Sequence, residues 1–168
     1  MLSFPSPTIP VADRTAVLTG YLDFFRETVL WKVTGLTEAQ LRESSLPSGW
    51  APLELVHHLT WVERRWLEWG FEGRPFADPW GDERDGRWHV PGGVATEDVL
   101  AGLTAQGATT RRIAAAHQLD EHGRPGERWD GAEPPTLERV LLHLVQEYAR
   151  HVGHLDLTRE LLDGATGE

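Results

Sequence analysis

The sequence carries eight histidines and no cysteine. Disulfides, thiolate metal sites and a cysteine nucleophile are excluded, so any metal chemistry falls to imidazoles and carboxylates. Glu147 and His151 lie four residues apart, with His143 and His154 nearby. On a helix that spacing projects both side chains from one face, about 6 Å apart along the axis. A packed neighbouring helix lies about 8 to 10 Å away, close enough for its histidine to meet them. Two imidazoles and a carboxylate suit zinc with one position open for water or substrate, and nickel or iron(II) accepts the same donors. The competing reading is a plain surface pair, worth only about 0.2 to 0.5 kcal/mol.

Helical facing weighs between these readings. With Leu144 as reference, Val140, Tyr148, Leu155 and Leu162 fall within about 40° of it, His151 at about −20° and Glu147 at about −60°. A carboxylate on such an apolar stripe is costly unless a cation or hydrogen bond compensates it. His154, at about −80°, is an alternative ligand or a neighbouring acid/base, while His143 lies near −100°. Around an earlier stripe of Leu55, Leu59, Val62, Trp66 and Trp69, His58 sits about 60° to one side and His57 about 200° away. The candidate metal ligands are therefore His58, Glu147, His151 and His154. His57 and His143 are expected to be solvated, and His89, His117 and His122 to be loop or packing residues. Arg65, two turns after His58, is a candidate cofactor-binding residue for an anionic ligand, or else the partner of an acid across the interface.

Four long helical segments must position these groups. Periodicity predicts them over Val11 to Val33, Pro52 to Gly70, Thr96 to Leu119, and from the Thr136 N-cap to the stop at Gly164. Thr37 and Gln40 have the spacing of a capping box for a short extra helix. On the first helix Val17, Leu18, Tyr21, Leu22, Phe25, Thr28 and Val29 form the apolar stripe. No segment alternates with period two over a strand's length. Two long connections, Phe71 to Ala95 and Asp120 to Pro135, hold Trp80, Trp88 and Trp129, large side chains that argue against simple disorder and leave two readings, capping the ends of the bundle or lining a pocket. The expected architecture is an all-α four-helix bundle forming one domain over residues 1–168.

Composition narrows the function classes. The chain has 168 residues, with 16 Lys+Arg against 26 Asp+Glu, for a net charge of −10 with histidines neutral. An acidic surface without a basic cluster disfavours nucleic acid and anionic membranes. Met1 to Pro10 lacks the pattern of a secretory leader, and with no cysteine the expectation is a cytoplasmic protein. No nucleophile elbow, phosphate-cradling loop, dinucleotide fingerprint or His-Glu-x-x-His motif is present. If the protein transfers a group, the nucleophile is expected to arrive on a second molecule.

Two stretches carry a resemblance. Gly49-Trp50-Ala51-Pro52-Leu53-Glu54-Leu55-Val56-His57-His58-Leu59 resembles the opening of helix two in the DinB/YfiT-like superfamily, where the histidine eight residues after the tryptophan is a metal ligand, here His58. Leu141 to His154 resembles the family's last helix, whose remaining ligands correspond to Glu147 and His151. The Glu-x3-His form is similar to that of the mycothiol-dependent maleylpyruvate isomerases, and the whole chain resembles an actinobacterial DinB-like subgroup. The resemblance implies an up-down-down-up bundle, a bound zinc or nickel, frequent homodimers, and transfer of a thiol such as mycothiol, bacillithiol or glutathione to a small electrophile. A metal-dependent hydrolase with the same triad and a non-enzymatic binding or dimerisation module are the alternatives.

Overall fold

Most of the helices start where a side chain or a neighbouring carbonyl serves the free amides of the first turn, or where a proline leaves one fewer to serve. The structure, a computed structural model, describes residues 5–167. The expectations for the first four residues of Met1 to Pro10, and for Glu168, lie outside it. α1 (Arg14–Val33) begins behind Asp13, whose carboxylate accepts from the Ala16 amide at 2.8 Å. α2 (Glu38–Arg42) has the predicted capping box: the Thr37 hydroxyl accepts from the Gln40 amide and the Gln40 side chain from the Thr37 amide. α3 (Pro52–Glu63) opens on its proline. α4 spans Thr96–Ala116 and α5 Leu137–Asp163. Thr136 is the N-cap of α5 but makes no side-chain cap bond. Instead, the Leu137 and Glu138 amides donate to the Glu121 and Leu119 carbonyls, both at 2.9 Å, tying the helix to the preceding connection.

The second long helix departs from the periodicity. It is α-helical only to Glu63 and continues as a π-helix over Arg64–Phe71. Wider winding shifts the phase of everything beyond it. Leu67 and Phe71 therefore enter the core, while Trp66 and Trp69, predicted on the apolar stripe, are only half-buried. On α1, Val17 is exposed, whereas Arg26 and Lys32 are buried because each meets an acid, Glu63 and Asp156 respectively.

Contacts along the helices fix their directions. Arg14 pairs with Glu138 at the helix starts and Lys32 with Asp156 near the ends, so α1 and α5 are parallel. Trp66 lies against His143, Tyr148 against Glu63 and His151 against His58, so α3 and its π-helical extension run antiparallel to α5. Thr110 meets Glu63 and His117 meets Phe71, so α3 and α4 are parallel. The order is up-down-down-up, with α1 and α3 each packed mainly on α4 and α5. Leu55, Leu59, Leu103, Ile113, Leu144 and Leu155 fill the centre.

A charged knot crosses that core. Glu63, fully buried, accepts from Arg26 Nε at 3.1 Å and from Nη2 at 2.9 and 3.0 Å, and from the Thr110 and Tyr148 hydroxyls. Burial opposes the Arg26 charge, but Glu63, Tyr148 and Asp23 outweigh it and raise its pKa. Burial and Glu63 together push the Tyr148 hydroxyl well above its ordinary value, keeping it a donor. Gly107 is dictated by this knot: a Cβ there would lie 2.7 Å from the Arg26 guanidinium. Replacing Glu63 with Ala should leave Asp23, at 2.7 Å, as the acid still paired with Arg26 and cost about 3 kcal/mol in urea unfolding, the lower end for a broken buried pair. Tyr148→Phe should cost about 1 to 3 kcal/mol, for a single bond to a charged acceptor. Equal losses in the two variants would show that charge is not what the knot balances.

Candidate metal centre

α3 and α5 face each other across the bundle with His58 on one and Glu147 and His151 on the other. One donor atom from each of the three lies within 4.8 Å of the other two, close enough to share one ion. His58 and His151 are buried and Glu147 is half-buried. The Glu147 carboxylate has His151 Nε2 at 3.3 Å and His143 Nε2 at 3.4 Å, one helical turn to either side. The hydrogen bond from His151 lowers the Glu147 pKa against the opposing effect of burial, and His143 adds to the lowering, so the group is ionised at neutral pH.

A β-hairpin inside the 72–95 connection fixes the His58 ring. β1 (Glu83–Arg84) pairs antiparallel with β2 (Arg87–Trp88) around Asp85 and Gly86. Both turn residues have positive φ, 52° and 73°, the backbone of a tight hairpin turn that favours the Asp-Gly pair. Asp82, just before β1 and fully buried, accepts from His58 Nδ1 at 2.8 Å. Arg65 donates to both of its oxygens and to the Pro79 carbonyl. Burial raises the Asp82 pKa, but the bonds from His58 and Arg65 more than reverse this and hold it ionised. An ionised carboxylate can only accept, so His58 carries its proton on Nδ1 and leaves Nε2 with a free lone pair. Burial lowers the His58 pKa despite Asp82, favouring that neutral ring. Trp88, from the same hairpin, stacks on the ring at 4.1 Å and 20°.

The donor set fits a divalent ion. Neutral imidazoles with a carboxylate are zinc ligands, and a ligand histidine whose other nitrogen is held by a carboxylate is the usual supporting arrangement. His151 Nδ1 is buried without a hydrogen-bond partner, as is His154 Nδ1. Buried polar atoms are seldom left so. His154 stands beside the cluster, its ring 5.3 Å from that of His151, but it is not one of the three converging donors.

The other histidines are held by the fold. His57, expected in solvent, is half-buried and accepts from Trp61 Nε1 at 3.0 Å, and burial lowers its pKa. His143, also expected in solvent, lies 4.3 Å from Trp66 and next to Glu147. His117 meets Glu121, and His122 bonds the Pro134 carbonyl at 2.8 Å. The His89 amide donates to the Asp82 carbonyl and closes the hairpin's base. Sequence reasoning singled out Trp88 only as a large side chain of the connection and missed Asp82, although the Asp85-Gly86 dipeptide signals the hairpin that carries both.

The bundle, its helix order and the His–Glu–His cluster between the second and last long helices are those of the DinB/YfiT-like superfamily. Within it the chain belongs to the mycothiol S-transferase family, whose model matches residues 17–164 and so covers every residue of the cluster. No curated relative matches the sequence.

Asp82→Ala should leave the buried Arg65 charge unpaired and cost about 3 to 5 kcal/mol of stability. Adding Arg65→Met should recover part of that loss, with a coupling of about 0.5 to 3 kcal/mol in a double-mutant unfolding cycle. Simple additivity would refute the buried pair.

Proposed function

We propose that this protein transfers a low-molecular-weight thiol, of the mycothiol kind, to a small electrophile, and that a divalent metal, zinc or nickel, is held by His58, Glu147 and His151. The observation that carries the reading is the convergence of those three donors from two helices, one of them aligned by a buried carboxylate. Such an ion, when bound, lowers the pKa of a thiol placed on it and so supplies a thiolate at neutral pH. The family match supports a thiol rather than water as the nucleophile. With no cysteine in the chain, no protein thiol competes for the electrophile.

The residues around the cluster divide the remaining work. Asp82 and Arg65 keep the His58 ring from turning, so its Nε2 stays aimed between Glu147 and His151. Trp88 covers that ring and keeps water from one side of the site. A cleft of about 450 Å³ opens beside the cluster, lined by Val62, Trp66, Trp80 and Trp88 among others. Its volume suits a small molecule. His154, whose pKa burial and His151 lower, stays neutral at pH 7 and is placed to take the proton that an incoming thiol releases.

Protein purified without chelator or a nickel column should contain about one divalent ion per chain by elemental analysis. His58→Ala and His151→Ala should each abolish that content, while His57→Ala leaves it unchanged. Asp82→Asn should retain the metal but bind it about 10- to 100-fold more weakly. Conversion of a chloro-nitroaromatic should require mycothiol. Full thiol-dependent turnover by metal-free protein would overturn the metal's role, and equal turnover without any thiol would overturn the transfer.

A further inference from the structure

The cleft beside the cluster contains three arginines, Arg65, Arg128 and Arg150, and they are not equivalent. Arg65 is neutralised by Asp82. Arg150 is exposed. Arg128, half-buried in the 117–136 connection, has neither an ion pair nor a side-chain hydrogen bond among the described residues, and its Nε is buried without a partner. A guanidinium left like this is unusual, because it is the side chain most apt to take a carboxylate in a two-pronged bond.

Indole rings hold it in place. Its central carbon lies 4.3 Å from the Trp66 ring centre, 5.2 Å from that of Trp69 and 5.7 Å from that of Trp129. Trp129 is itself anchored, its Nε1 donating to the Gly70 carbonyl at 3.2 Å and the Arg124 carbonyl at 3.1 Å. Aromatic faces favour the cation but supply no counter-charge to its N–H groups. The carboxylates nearest the cleft are already engaged: Asp82 with His58 and Arg65, Glu147 with His143 and His151. Glu83 stands exposed at the rim with no ion pair to Arg128 among the described residues. Burial, with Arg65 nearby, lowers the Arg128 pKa, as expected where the cation lacks an anion.

We infer that Arg128 is an anion-recognition residue, and that the molecule taken into this cleft carries a carboxylate that pairs with its guanidinium. The placement on the proposed transferase reading is that of a specificity residue: it shares the cleft with the ligand cluster and, among the described residues, makes no hydrogen bond or ion pair to any of the three ligands. The carboxylate can belong to the electrophile or to the thiol. Either source meets the same guanidinium N–H groups, and the three neighbouring indoles lower the local polarity, which strengthens the pairing.

The test uses benzoate and its neutral isostere benzamide, titrated by calorimetry into the protein as purified and into the same protein after chelation. Benzoate should bind at least about tenfold more tightly than benzamide in both preparations, the ratio expected of a charge-assisted bidentate bond. Arg128→Met should remove that preference and Arg128→Lys should reduce it, while Arg150→Met should leave it intact. Persistence after chelation separates binding at Arg128 from binding at a metal, so this inference and the metal reading fail independently. Turnover with paired substrates assigns the source. A carboxylate on the nitroaromatic, or on N-acetylcysteine compared with its amide, should raise kcat/KM in wild type and not in Arg128→Met. Equal affinity for benzoate and benzamide in the wild type would overturn the proposal even if Arg128→Met failed to fold, as would an undiminished preference in a folded Arg128→Met.

Discussion

The site rests on one carboxylate. Asp82 is fully buried, accepts from the His58 imidazole, and is gripped by Arg65 through both oxygens. These contacts join a loop that has almost no regular structure to the second long helix. Without them the imidazole would be free to rotate, Arg65 would be a lone charge in the interior, and the hairpin carrying Trp88 would lose its anchor. Each outcome is expensive on its own, since unpaired buried charge is among the largest penalties a fold can carry. The hairpin therefore belongs to the centre as much as the helices do.

The π-helical stretch has a matching role on the other side of the cleft. In an unbroken α-helix the Trp66 and Trp69 side chains would turn into the core. Wider winding over Arg64–Phe71 sends Leu67 and Phe71 inward and leaves the two indoles half-buried, Trp66 lining the cleft and both flanking Arg128. Interruptions of this kind often accompany functional sites, because they trade regular hydrogen bonding for a particular side-chain direction.

Much of this was legible before the structure, and the boundary is physical. Helix positions, the inward aim of Glu147 and His151 and the facing of His58 all follow from a rotation of about 100° per residue, which holds as long as the helix is an α-helix. That is why the convergence of His58 on α3 with Glu147 and His151 on α5 follows from the sequence, while the facing of Trp66 and Trp69 beyond Glu63 does not. Arg65 follows in part: its alignment with His58 is helical arithmetic, but its partner Asp82 arrives from a loop to which no periodicity applies. The Arg26–Glu63 knot was hidden for a different reason. A charged residue on a helix reads as surface unless its partner on another helix is known, and Arg26 lies 37 positions before Glu63.

Two inward carboxylates on the same pair of faces invite comparison. Glu63 has a cation of its own, Arg26, with the Thr110 and Tyr148 hydroxyls completing its shell, so its charge is balanced within the chain. Glu147 sits on α5 one residue before Tyr148, yet its close partners are His143 and His151, which carry charge only when protonated. Among the described residues Glu147 forms no ion pair with a lysine or arginine, whereas around Glu63 the electrostatics close. Desolvation opposes the charge at both positions, more strongly at the fully buried Glu63, and at the half-buried Glu147 it is offset by two imidazoles rather than by a fixed cation. This asymmetry separates a structural carboxylate from one suited to hold an ion.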